Sequence, residues 1–198
     1  INRTGKNGRV KCTLPTKQAI NPNISAAVFD GGISSTDVGI SKWVKRKKAK
    51  GISGPVKQGT DHGLAVTSAL LFGPIVGGKV LQQPYSNVDH YRVIDDNINN
   101  NDDIFDVLPR IMDILYQGKH EFVNLSIGPD LPIDDNEVEV WTSVLDEFLS
   151  RGKVLATIAI GNNGELDRSS GNARILVPSD CVNGMSVGAC DKVSKDEW

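Results

Sequence analysis

The sequence lacks any apolar stretch long enough to cross a bilayer, and it opens without a signal peptide. No membrane partner is therefore expected. The chain starts at Ile1 rather than Met, which reads as a processed or excised product, so the missing signal segment excludes little. Cysteine is scarce. Cys12, Cys181 and Cys190 are odd in number and loosely spaced, so neither a disulfide framework nor a zinc site follows. Free buried thiols are the expectation, with a lean toward a reducing, cytoplasmic compartment. No excess of one charge is present either. Twenty-two Lys and Arg stand against 24 Asp and Glu, a net charge of -2, which argues against a nucleic-acid partner held through phosphates. The single basic run, Lys45-Arg46-Lys47-Lys48, reads as a solvated loop or helix face, or as a docking patch for an acidic partner. There is no Gly-x-x-x-x-Gly-Lys loop to cradle a phosphate, no internal repeat and no low-complexity tract.

What is present is the composition of a soluble globular chain, with 39% hydrophobic and 23% charged residues over 198 positions. That length suits one domain or most of one. Residues 1–23 are polar and rich in Gly, Asn, Lys and Pro, and read as a lead-in to a domain over 24–198. Ala26-Ala27-Val28-Phe29 is a short apolar run stopped by Asp30-Gly31-Gly32, which predicts a buried strand and a turn. Residues 34–60, rich in Gly, Ser and Lys, read as a long surface excursion. An apolar block then opens at His62-Gly63 and closes at Gly73-Pro74, which predicts a helix.

Further along, Tyr91 to Ile94 is a strand candidate. Ile104, Val107, Leu108, Ile111, Met112 and Leu115 recur at helical spacing. Glu121 to Ser126 predicts a strand ending at Gly128-Pro129. Val138, Trp141, Val144, Leu145, Phe148 and Leu149 predict a second amphipathic helix. Val154 to Ile160 is a continuous apolar run, read as a strand buried on both faces, and Val182 to Ala189 predicts one more. Strands alternating with helices imply right-handed crossovers. The expected fold is α/β, a three-layer, doubly wound, mostly parallel sheet with helices on both faces. Ligand sites in such sheets lie beyond the carboxyl ends of the strands. The polar residues at those ends are Asp30, Ser126-Ile127-Gly128 and Gly161-Asn162-Asn163-Gly164.

Taken singly these residues have ordinary readings. Asp30 can form a turn, His62 can cap a helix, and Asn162 can serve a turn that needs positive φ. His90 and His120 read as structural. Together the candidates form an ordered set. Val28-Phe29-Asp30-Gly31-Gly32 resembles the apolar run and Asp-x-Gly of the subtilisin-like serine proteases. His62-Gly63-Leu64-Ala65-Val66-Thr67-Ser68 keeps the His, Gly and Val of that family's His-Gly-Thr-x-Val-Ala-Gly, and departs from it at Leu64, Thr67 and Ser68. Asn124-Leu125-Ser126-Ile127-Gly128 resembles its substrate-binding Asn-x-Ser-x-Gly, and Ala159-Ile160-Gly161-Asn162-Asn163-Gly164 its oxyanion Ala-x-Gly-Asn-x-Gly. Val177-Pro178-Ser179 and Met185-Ser186-Val187-Gly188-Ala189 resemble the Pro-containing turn and the Val-Gly-Ala strand.

The resemblance implies Asp30 and His62 as two members of an Asp-His-Ser triad and Asn162 as the oxyanion donor. It implies Asn124 to Gly128, with Gly161, as the segments that bind a polypeptide substrate. The family's Gly-Thr-Ser-x-Ala-x-Pro motif is absent. Ser169, Ser170 and Ser179 stand at the wrong place in the order, so the chain reads as a domain incomplete at its C-terminal end, inactive alone. Such a fragment is expected to self-associate through an exposed sheet edge. No cofactor is required. Structural calcium is known in the family, but Asp95-Asp96, Asp102-Asp103 and Asp134-Asp135 do not match the spacing of an ordered calcium loop. Two rivals remain open: a non-catalytic module that binds peptides or a protein partner, and a phosphotransferase using Asp30. The latter family wants an Asp where Gly32 stands.

Overall fold

A computed structural model describes residues 11–52, 57–95 and 103–189. The elements run β1 (Asn21–Asp30), β2 (Val44–Lys48), α1 (Lys57–Phe72), β3 (Ser86–Arg92), α2 (Asp103–Leu115), β4 (Phe122–Leu125), α3 (Val140–Leu149), β5 (Leu155–Ala159) and β6 (Met185–Val187), with short 3-10 turns at Val38–Ile40 and Asn163–Glu165. The architecture is the expected α/β class, a mostly parallel sheet with helices between its strands. The chain divides into two units, Ile1–Asn124 and Leu125–Trp198.

In the first unit the strands lie in the order β2-β3-β1-β4. β1 and β3 run parallel, with Val28 opposite His90 and Asp30 opposite Arg92. β2 and β3 are also parallel, with Lys45 opposite Asp89 and Lys47 opposite Tyr91. Val28, Trp43, Val44, Leu71, Phe72 and Val88 are buried together, joining α1 to the sheet. In the second unit β5 pairs with β6 in parallel. Trp141, Leu145, Phe148 and Leu149 bury one face of α3, and Gly152, at φ +66°, lies just beyond the helix end, where a side chain would resist that backbone.

Several expectations shift. The basic run is strand β2, neither loop nor helix, so the excursion predicted over 34–60 contains sheet. Lys47 earns its place there: its Nζ donates to Asp89 Oδ2 at 2.5 Å and to Tyr91 Oη at 3.1 Å. His120 Nε2 donates to the same Asp89 oxygen at 2.9 Å. Burial works to raise the Asp89 carboxyl pKa, but the hydrogen bonds from Lys47 and His120 outweigh it and hold the carboxyl below its ordinary value. Helix α1 begins at Lys57, well before His62, and β3 begins before the predicted Tyr91. β5 alternates rather than being buried throughout, with Leu155 exposed and Ala156 and Ile158 buried. The described part of the predicted lead-in is docked: Leu81 N donates to Thr13 O at 2.9 Å, Trp43 Nε1 donates to Lys17 O at 3.1 Å, and Ala19 is buried.

Candidate functional site

Asp30 is the last residue of β1, and its side chain is only 1% exposed. A carboxylate cannot lie in such a place without donors around it. Gly31 N donates to Oδ1 at 2.6 Å. His62 Nδ1 lies 2.9 Å from Oδ1 and 2.8 Å from Oδ2, and donates to the pair. The Asp30 hydrogen bond raises the His62 pKa above 6.5, against the opposing effect of burial and with the help of the Asp30 charge. The imidazole is 52% exposed, so the face away from Asp30 meets solvent. With Nδ1 committed to the carboxylate, the other ring nitrogen is left to take and return a proton.

Glycines bring His62 to this position. A Cβ on Gly31 would lie 2.6 Å from Gly59 Cα, and a Cβ on Gly63 would lie 2.1 Å from Gly32 O. Gly59 and Gly63 are four apart and share one face of α1. That face lies flush on the turn after β1, backbone against backbone, and His62 is carried to the carboxylate with it. Gly32 has φ +105°, a conformation that side chains resist. The sequence places Gly59 in a surface excursion, whereas the structure places it in α1 as a residue that forms the site. The signal that finds it is the Gly-x-x-x-Gly spacing.

In the second unit, the segment 175–177 ties together the expected substrate-binding and oxyanion loops. Leu176 N donates to Ile160 O at 2.9 Å, Val177 N to Leu131 O at 2.9 Å, and Ile133 N to Ile175 O at 3.0 Å. A Cβ on Gly128 would lie 2.5 Å from Val177 O, and one on Gly161 would lie 2.5 Å from Leu176 Cγ. Gly161 also has φ +93°, so glycine is required twice over. Leu125 lies within the second unit as the last residue of β4, while Ser126, Ile127 and Gly128 continue beyond the strand. Asn124 closes the first unit. Asn162 is exposed, precedes the 3-10 turn at Asn163–Glu165, and makes no side-chain capping bond there. Its neighbour Asn163 donates Nδ2 to Asp130 Oδ1 at 3.0 Å. Thus Asp30 and His62 form one described group and residues 125–128 with 161–162 another.

The remaining candidates are committed elsewhere. Ser169 and Ser170 hydrogen-bond to Asp167, and Ser179 Oγ donates to Leu176 O at 2.6 Å. Asp134 Oδ1 accepts from Asn136 N at 2.7 Å, and Asp135 pairs with Arg174. Asp96, Asp102, the Asp103 side chain and Cys190 lie outside the described residues. Among the described residues no cluster of three or more His, Cys, Asp or Glu is placed to hold a metal ion. No described helix is long and apolar enough to cross a membrane.

Comparison with known proteins follows the same lines. No curated protein matches the sequence. Among solved structures the chain is similar to the subtilase cytotoxin SubAB, at 23% identity and a TM-score of 0.53, covering 82% of this chain and 50% of that one. It is similar to the nisin leader peptidase NisP from Lactococcus lactis, at 17% identity and a TM-score of 0.53, covering 87% and 57%. It is also similar to the protease domain of PatA, at 19% identity and a TM-score of 0.53, covering 90% and 62%. At these identities the likeness speaks to fold. The chain spans between 50% and 62% of the length of these structures. The profile of the subtilase family, peptidase S8, matches residues 21–197. With the fold agreeing and the match running over most of its length, the chain belongs to the subtilase family of serine proteases.

Proposed function

We propose that this chain is part of a subtilisin-like serine endopeptidase, carrying Asp30, His62 and Asn162 of the catalytic machinery, with the nucleophilic serine supplied from outside residues 1–198. The observation that carries the reading is the buried Asp30 carboxylate held in two-oxygen contact with Nδ1 of a half-exposed His62. That arrangement fixes the imidazole tautomer and stabilises the imidazolium that forms when the ring takes a proton. A serine hydroxyl is a poor nucleophile at neutral pH and needs such a base within hydrogen-bond reach.

In the proposed reaction His62 takes the hydroxyl proton as the serine oxygen attacks the scissile carbonyl. It then returns the proton to the leaving amine, and repeats the cycle with water to release the acyl product. Asn162 donates its side-chain amide to the tetrahedral oxyanion. Residues Asn124 to Gly128 offer an extended edge on which a polypeptide adds as a strand, so affinity comes from main-chain pairing and specificity from neighbouring pockets. The chemistry needs no cofactor. Isolated residues 1–198 are proposed to be inactive, and to self-associate through β6, whose three residues are all exposed.

The test is hydrolysis of a broad peptide library by the full-length parent protein. His62→Ala is expected to abolish turnover. Asn162→Ala is expected to lower kcat by about 10²–10³, the range known for the oxyanion asparagine of a subtilisin itself. Turnover that survives His62→Ala overturns the reading. Peptide binding without turnover in the native protein would instead favour the non-catalytic module.

A further inference from the structure

The departure of the His motif at Thr67 has a partner in space. Thr67 lies on α1 and is fully buried, and its hydroxyl is 2.8 Å from His90 Nδ1 on β3. His90 is 1% exposed. It stands opposite Val28 in the parallel register, and Asp30 lies two residues further along β1. Alternation along the strands puts Val28, Asp30 and His90 on one face of the sheet, the face that α1 covers. The His90 ring occupies the space directly beneath Gly63, where an added Cβ would lie 2.9 Å from His90 Cε1. Gly63 is the residue after His62. One imidazole thus touches the helix at the residue beside the proton carrier and is pinned at Thr67, one turn further on.

The pair is an expensive way to fill a core. Burial pushes the His90 pKa down to about 4, with the charges of Arg46 and His62 acting in the same direction and Asp30 pulling against them. The ring is therefore neutral at working pH. Its Nε2 has no hydrogen-bond partner among the described residues. Apolar side chains would fill the space without that orphan. What they would not supply is a register: a hydrogen bond between hydroxyl and ring nitrogen holds at one offset of α1 against β3, whereas apolar contacts tolerate sliding. The offset matters here because Gly59 and Gly63 meet the turn after β1 through backbone alone, with no side chain of their own to key the helix beside His62.

We propose that Thr67 and His90 are a positioning pair for the Asp30–His62 dyad, their hydrogen bond setting α1 against β3 at the offset that brings His62 Nδ1 onto both Asp30 oxygens. The catalytic meaning of that role rests on the protease reading above, but the geometry can be tested without it.

The His62 ring is titrated by NMR in the full chain, as native, Thr67→Val, Thr67→Ser and His90→Phe. In the native chain the midpoint lies above 6.5. Thr67→Val, which keeps the shape and removes the hydroxyl, is expected to lower it toward 6.5, while Thr67→Ser restores the native midpoint. A lone packing role predicts no such difference between valine and serine. An unchanged midpoint in Thr67→Val overturns the proposal, as does a serine variant that behaves like valine. If Thr67→Val does not fold, His90→Phe carries the comparison. Its ring keeps the space under Gly63 but gives the Thr67 hydroxyl no nitrogen, so its His62 midpoint must fall; a native midpoint overturns the proposal. In the full-length parent, Thr67→Val is expected to lose on the order of tenfold or more in kcat with KM unchanged, as for a misplaced reacting group. Native kcat in Thr67→Val beside an inactive His62→Ala defeats this inference alone. Activity in His62→Ala defeats the protease reading and leaves the titration to stand.

Discussion

Acid should unfold this protein through His90 before it does so through its carboxylates. The folded ring titrates near 4, the free ring near 6.5. Between those values the unfolded chain binds a proton that the folded chain refuses, so stability is intact above about pH 6.5 and falls as pH drops toward 4. One pH unit of separation is worth about 1.4 kcal/mol, so the full effect is about 3 kcal/mol, of which about 2 kcal/mol is reached near pH 5. The raised His62 pKa works in the opposite sense, its contribution being complete below 6.5 and lost as pH rises through the folded value, so the effect is read in a His62→Ala background. The lowered Asp89 pKa matters only below about 3.8. The assay is urea unfolding near pH 8 and near pH 5, followed by fluorescence of the buried Trp43 and Trp141, for the chain carrying His62→Ala alone and for the chain carrying it with His90→Gln. Glutamine does not titrate, so the chain that keeps His90 should lose about 2 kcal/mol more than the one that lacks it over that interval. Equal losses in the two proteins would refute the assignment of a buried, neutral His90.

Gly63→Ala should destabilise the chain by about 1–3 kcal/mol, despite a helix-propensity gain of up to about 1 kcal/mol, because the added methyl meets Gly32 O and the His90 ring; a higher melting temperature would contradict the flush packing of α1. Cys181 is buried, with its thiol pushed up to about 12 by burial and by the charges of Asp146 and Asp180. Mass mapping after brief alkylation of the native protein near pH 8 should find Cys181 unmodified and should find it labelled after unfolding; equal labelling in both would show the thiol to be accessible.

The fold class and the candidate residues were legible because strand-end chemistry leaves compact local patterns. An apolar run followed by Asp30, a His-Gly at 62–63 and a Gly-Asn at 161–162 each fit within a few positions, and their order completes the signal. What escaped the sequence depends on partners distant along the chain. Strand β2 reads as a solvated charge run because Val44 to Lys48 carries little apolar character. Its strand state comes from pairing with β3 and from the Lys47–Asp89 contact, across a separation of 42 residues. Gly59 reads as part of the surface excursion over 34–60, yet it lies inside α1, because only glycine permits the close approach to Gly31. Thr67 stood out only as a mismatch to the family pattern. Its reason appears when His90, 23 residues away, is found against its hydroxyl. The offset of α1 is thus written in pairs of residues that no local window contains.

The most direct measurement of the protease assignment is labelling of the full-length parent by a serine-directed fluorophosphonate. The account predicts covalent attachment at one serine outside residues 1–198, lost in His62→Ala and strongly slowed in Asp30→Asn. Attachment that persists at native rate without His62, or no attachment to the active native protein, would contradict it.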